Sequence, residues 1–323
     1  MPVLSYIIPC YNEEESLPFF VDELVNVTNQ LSENHADYSF EAVFIDDGST
    51  DATLDFVQNL AEQELPFRVE WTSFSRNFGK ESALYAGLKK ATGDFVVVMD
   101  ADMQDPPSLI PQMIDLITTG NFDCVATRRK NRKGEPPVRS FFSALFYRVI
   151  NRLSDTIIEE GARDFRLMTR SMVNAVLEVS EYNRFSKGIF SWVGFNTAWI
   201  EYENEQRAAG ESKWSFGSLL SYGLNGIVSF TEAPLAAVGI FGGVVSLIAV
   251  IFLCVIVVRA FLVGDPVAGW PSMMSVILLI GGIQMLFLGI IGEYLAKAYL
   301  ETKRRPLYIV KDESKAPSSE KTE

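Results

Sequence analysis

The sequence predicts an α/β domain on a mostly parallel sheet, followed by two apolar C-terminal helices. Three observations predict it. Short apolar runs alternate with segments of helical period through the first half of the chain. Several of those runs end in polar or acidic residues, as strands do when a ligand site lies beyond their carboxyl ends. Two uncharged stretches, Ala233 to Val258 and Pro266 to Gly292, each exceed the ~20 residues that a bilayer-spanning helix needs.

Residues 3–9 read as a buried strand, and residues 13–31 place Leu17, Val21, Leu24 and Leu31 on one helical face. Residues 41–47 and 68–74 are the second and third strands, each followed by a helix (53–63 and 80–91). Residues 94–100 form a fourth strand, 109–117 a helix and 122–127 a fifth strand. Strands joined by helices run parallel, with both sheet faces covered. Asn12 and Glu13, Asp46 and Asp47, and Asp100 and Asp102 then fall on one rim. Residues 137–154 predict a helix with Arg139, Arg148 and Arg152 interleaved with Phe141, Phe142, Leu145 and Phe146.

These elements divide the chain into a domain over 1–213, an amphipathic segment over 214–231, membrane helices over 232–262 and 270–296, and a tail over 297–323. The amphipathic segment reads as interfacial, with a core helix of the soluble domain as the alternative. Lys297, Lys303, Arg304, Arg305 and Lys311 follow the second apolar run, which places the C-terminus in the cytoplasm. Two spans return the chain to the side it left, so the first domain is expected there too, at the cell membrane. Val3 to Ile8 is too short an apolar run, and lacks the basic flank, for a signal peptide. The Ser/Lys/Glu/Pro-rich end after Asp312 is expected to be disordered.

Composition narrows the chemistry. The net charge of -13 over 323 residues argues against a nucleic-acid partner. Three scattered cysteines fit a reducing compartment without a disulfide framework. His35 is the one histidine, which excludes a His-rich metal site and, in its polar connector, argues against a Ser-His-Asp triad. Any chemistry must be carried by carboxylates, Arg and Lys, with or without a metal. Asp100 and Asp102 end a core strand as D-x-D, where they repel each other unless something positive sits between them. Mg²⁺ or Mn²⁺ suits such oxygen ligands and commonly bridges to diphosphate oxygens.

In this order, "IPCYNEEESL", "IDDGSTD", "SRNFGKESALYAG", "MDADMQDPP" and "GARDFRLMTR" resemble the inverting glycosyltransferases of family 2, with the GT-A fold. More narrowly, the chain resembles the membrane-anchored polyprenyl-phosphate glycosyltransferases, the group of bactoprenol glucosyltransferases and dolichol-phosphate mannose synthases. The resemblance covers nearly the whole chain. It implies transfer of a sugar from a nucleotide sugar to the phosphate of a membrane polyprenol, undecaprenyl phosphate in a bacterium. UDP-glucose is the first donor it suggests, then UDP-N-acetylglucosamine and GDP-mannose.

The resemblance also implies site roles. Pro9, Tyr11, Glu13, Asp46 and Asp47 would line the nucleotide. Asp100, Ala101 and Asp102 would hold the metal and the sugar diphosphate, and Gln104 and Asp105 would shape the sugar pocket. Asp105 is also placed to cap a helix at Pro106 and Pro107. Lys80, at a helix N-terminus, would approach the donor. Asp164 takes the position of the base, or orients the acceptor, or simply pairs with Arg163 or Arg166; Arg163 stands where relatives often carry a small residue. Arg128, Arg139 and Ser143 match positions that grip the lipid phosphate, and Arg207 and Lys213 match a loop that neutralises the departing diphosphate. A homo-oligomer, a flippase and an outward-facing transferase are implied partners. A processive polysaccharide synthase is disfavoured because no Q-x-x-R-W follows Asp164. A non-catalytic module regulating a lipid-sugar translocase is the reading from a different class.

Overall fold

A computed structural model describes residues 1–129, 151–152, 159, 161–179, 181–202, 233–263 and 269–314. The elements are β1 (Val3–Cys10), α1 (Leu17–Asn34), β2 (Ser39–Asp46), α2 (Thr53–Leu60), β3 (Arg68–Phe74), α3 (Lys80–Lys90), β4 (Phe95–Val98), α4 (Ile110–Thr119) and β5 (Cys124–Arg129). They continue with β6 (Ala162–Thr169), α5 (Arg170–Glu178), α6 (Ser186–Trp192), β7 (Thr197–Tyr202), α7 (Ala233–Val263), α8 (Trp270–Lys303) and β8 (Val310–Glu313). One sheet runs in the order β7-β5-β6-β4-β1-β2-β3-β8.

The central strands β3, β2, β1 and β4 are parallel. Their side chains alternate between two cores, as the strand period requires. Leu4, Tyr6, Ile8, Phe44 and Val97 pack with α1 and α4, while Ile7, Val43, Ile45, Val96 and Val98 pack with α3, α5 and α6. Gly87 lets α3 sit close to the sheet, because a Cβ there would lie 2.3 Å from Cγ2 of Ile7. The order turns at β1, whose chain successor β2 lies on one side and β4 on the other. The crevice beyond the carboxyl ends of β1 and β4 is therefore the topological switch point, where open α/β sheets bind ligands.

β6 inserts beside β4 in the antiparallel sense, pairing Val98 with Arg166. Continuing that register by two residues sets Asp100 across from Asp164. Neither β6 nor β7 was expected as a strand from periodicity. β6 pairs on both sides and is buried over Phe165–Met168, so no alternating pattern marks it.

Both apolar stretches are helical, over 31 residues in α7 and 34 in α8. Among the described residues one stretch, Leu279–Lys303, is long and apolar enough to cross a membrane by length and composition. Large apolar side chains stay exposed on both helices, including Leu247, Phe252, Leu279 and Met285. Phe241 of α7 meets Phe287 of α8 edge to face, 5.6 Å between ring centres. α8 runs past the expected end at 296 to Lys303. Glu293, Lys297 and Glu301 explain this, since charges of alternating sign four residues apart favour a continued helix. Arg304 then ends it in the left-handed conformation, φ 46°.

After α8 the chain returns to the sheet. β8 pairs antiparallel with β3 at the sheet edge. Tyr308 stacks on Phe74 with 4.7 Å between ring centres, and the Ser75 amide donates to the Ile309 carbonyl at 2.9 Å. The expected helix over 137–154 lies outside the described residues except for Asn151 and Arg152, and the 214–231 segment lies wholly outside them.

Candidate active site

The loops after β1 and β2 are knitted together at the switch point. Asn12 adopts φ 53°, donates its amide to Ser49 Oγ at 3.0 Å and accepts from the Thr50 amide at 2.8 Å. The Glu13 amide donates to Thr53 Oγ1 at 2.8 Å, and its carboxylate accepts from Ser16 Oγ at 2.7 Å. Pro9 and Tyr11 are half-buried on this rim.

Asp46 and Asp47 are both buried and both committed to the protein's own groups. Asp46 accepts from the Ser49 amide (2.9 Å) and from Ser73 Oγ (2.6 Å). Asp47 accepts from the amides of Phe78 (2.6 Å) and Gly79 (2.9 Å). These carboxylates thus build the rim before they meet any ligand. Asp47 fixes the backbone just before α3, where Gly79 turns at φ 95°, and so aims Lys80.

Lys80 reaches across the crevice. Its Nζ lies 2.8 Å from Oδ2 of Asp100 and 2.6 Å from Oδ2 of Asp164. The D-x-D and the expected base, some sixty residues apart in sequence, therefore share one ammonium. Burial opposes the charge on Asp164, but Lys80, backed by Lys187 and Arg166, holds its carboxyl well below the usual range. Burial pushes the Asp100 carboxyl up, against the pull of Lys80. Burial likewise works against the Lys80 ammonium, and the two carboxylates overcome it and raise its pKa.

Asp164 does not pair with the guanidinium of Arg163 or Arg166. Arg163 donates to Asp105 Oδ1 at 2.9 Å and to Gln104 Oε1 at 3.3 Å. Arg166 lies over the ring of Phe190, 3.8 Å from its centre, and donates to the carbonyls of Arg163 and Asp164. Asp105 is 1% exposed and also accepts from Tyr202 Oη. It caps no helix: the short turn at Pro107–Leu109 starts at Pro106 with no side-chain cap. Sequence reasoning missed Tyr202, whose signal was only an aromatic at the end of an unread strand. Arg163 had a signal, its departure from the small residue of relatives.

Ala101 is buried and Asp102 half-buried. Asp102 accepts from the Gln104 amide at 3.1 Å, and Met103 between them holds φ 59°. Among the described residues no group of three or more His, Cys, Asp or Glu gathers as for a metal. The donor chemistry still fits a hard divalent cation that draws its other ligands from diphosphate and water. Asp100 and Asp102 would be the protein's share.

Arg128 stands apart from this cluster. It pairs with Glu159 at 2.5 Å and Glu201 at 2.6 Å, so a lipid phosphate would compete with two carboxylates for it. Arg139, Ser143, Arg207 and Lys213 lie outside the described residues.

The sequence model described as "Glycosyl transferase family 2" matches residues 5–177, which span every element of this site from β1 to β6. The chain belongs to that family. The enzyme is 42% identical over 310 residues to the putative glycosyltransferase CsbB of Bacillus subtilis, covering 96% of this chain and 92% of that protein. It is 40% identical over 308 residues to the prophage bactoprenol glucosyl transferase homolog of Escherichia coli, and equally to the bactoprenol glucosyl transferase of Shigella phage SfX. Each match covers 95% of this chain and 98% of the relative. The glycosyltransferase thus has the GT-A-like α/β fold, with its acidic cluster at the switch point of the sheet.

Proposed function

We propose that the enzyme transfers glucose, with inversion, from UDP-glucose to the phosphate of a membrane polyprenol, undecaprenyl phosphate. The observation that carries this reading is the Asp100–Lys80–Asp164 cluster at the switch point, in a chain similar along its length to bactoprenol glucosyl transferases. In the reaction an acceptor phosphate oxygen attacks the anomeric carbon, the bond from that carbon to the diphosphate breaks, and UDP leaves. A phosphate monoester is largely ionised at neutral pH, its second pKa being about 6. The acceptor therefore needs placement more than deprotonation. An Asp164 held ionised by Lys80 suits that task as an orienting group.

Asp100 and Asp102 would hold Mg²⁺ or Mn²⁺, which neutralises charge on the departing diphosphate. Asp46, Asp47, Tyr11, Glu13 and Pro9 would form the nucleotide wall, and Gln104 and Asp105 the sugar side. Arg128, Arg139 and Ser143 would receive the lipid phosphate, and Arg207 and Lys213 the leaving group.

α7 and α8 would anchor the enzyme as two membrane spans. Pairing of β8 with β3 supports this, because it places the chain after α8 on the same side as the catalytic sheet. A basic cluster at Lys303–Arg305 would make that side cytoplasmic. The product would then need a flippase and an outward-facing transferase to be used.

The test is a transfer assay on the purified full chain in detergent, with undecaprenyl phosphate, Mn²⁺ and each labelled sugar nucleotide in turn. Lipid-extractable label from UDP-glucose is expected. Label from UDP-N-acetylglucosamine or GDP-mannose instead would reassign the sugar. No label from any donor, with nucleotide still bound, would favour a module that regulates a translocase.

A further inference from the structure

Asp100 and Asp164 meet in the crevice, while Asp105 has its own partner in Arg163. Lys80 touches the D-x-D and Asp164 at once, through the Oδ2 atom of each. It is placed from behind on three counts. Asp47 anchors the two amides before it. Gly87 seats its helix against Ile7. Glu81, the next residue, accepts from the Ser186 amide at 2.9 Å and from the Ser186 hydroxyl. Its own tip is different, since the Lys80 side chain is 39% exposed and ends a flexible four-carbon stem.

We infer that Lys80 is a built-in counter-cation of the D-x-D, which competes with the divalent ion for Asp100. The inference rests on the reading of Asp100 and Asp102 as the cation site. A divalent ion bonds a carboxylate oxygen at ~2.0–2.2 Å. An ammonium 2.8 Å from the same oxygen would stand beside it as an unscreened like charge. For the ion to take that oxygen Lys80 must leave it, and Asp164 already gives the lysine a second partner. Part of the site's negative charge is thus balanced before the ion arrives, and metal entry is coupled to release of the lysine. Lys80 acts as a positioning residue in this scheme.

Mn²⁺ binding to the purified full chain, without nucleotide, can be read by electron paramagnetic resonance. Lys80→Met should tighten the Mn²⁺ Kd by roughly tenfold, and Lys80→Arg should leave it equal or weaker. A Kd for Lys80→Met equal to or weaker than that of the natural chain would overturn the inference. Asp102→Ala separates the two readings: if it binds Mn²⁺ as the natural chain does, the D-x-D is not the cation site. A second measurement needs no Lys80 variant and covers a Lys80→Met chain that fails to fold. Acylation of Lys80 in the natural chain, followed by mass spectrometry, should speed up several-fold on adding Mn²⁺. An unchanged or slower rate would count against displacement.

Discussion

Asp47 shows how a residue at the rim can matter before any ligand arrives. Its two oxygens hold the amides of Phe78 and Gly79, and a buried carboxylate in such bonds contributes about 1.5–3 kcal/mol for each. Asp47→Ala should lower the thermal midpoint in detergent and also disorder Lys80. Asp102→Ala removes a half-buried side chain that accepts from the nearby Gln104 amide, and should lower the midpoint less. Comparing the two melting curves checks this. The residues of this site were legible in sequence because carboxylates at strand ends are chemically odd. Their partners were not, since Asp164 meets Lys80 only through the register of β6 against β4. Arg163 and Arg166 sit nearer in sequence yet turn elsewhere.

At the scale of elements, Glu41 fastens three strands at the edge opposite the site. Its carboxylate accepts from Ser5 Oγ (2.6 Å), Arg68 Nη2 (2.7 Å) and the Thr92 amide (2.6 Å), joining β1, β3 and the entry to β4. Burial opposes its charge, but these donors prevail and lower its pKa. A lowered folded pKa means the stabilisation is complete above the unfolded value of about 4.3 and is lost as pH falls through the folded one. The stability gap between the natural chain and Glu41→Gln should be widest at neutral pH and narrow as pH falls below about 4.3. Melting curves across pH would show it, and a gap that widened in acid would refute it.

Gly87→Ala forces a methyl against Ile7 at the α3–sheet contact. It should cost about 1–3 kcal/mol, measured as a lowered midpoint. The parallel core was legible because its runs are apolar and its links helical. β8 was not legible. "VKDE" is short, exposed and charged, and becomes a strand only because β3 offers it an edge.

For the whole molecule, the return of the chain from α8 to the sheet sets how the site stands relative to the apolar helices. The C-terminal turn of α8 is tied by Glu301, which accepts from the Tyr182 amide at 2.8 Å. Lys90 reaches Glu313 at 3.0 Å, and Ser314 bonds the Trp71 backbone on both sides. Tyr308→Ala removes the ring that stacks on Phe74 and should cost about 1–3 kcal/mol. Limited proteolysis should then cut near residue 305 faster, while the natural chain resists. The two apolar stretches were plain in the sequence because nothing charged interrupts them, but the return of the chain after α8 to the edge of β3 is a tertiary fact.

The most direct measurement compares membranes from cells expressing the natural chain and the Asp102→Ala chain, supplied with undecaprenyl phosphate, Mn²⁺ and labelled UDP-glucose. The natural chain should move label into the lipid extract, EDTA should stop it, and Asp102→Ala should move almost none at equal level of folded protein. Undiminished transfer by Asp102→Ala, or transfer indifferent to EDTA, would contradict a cation-dependent glucosyl transfer at the switch point of this sheet.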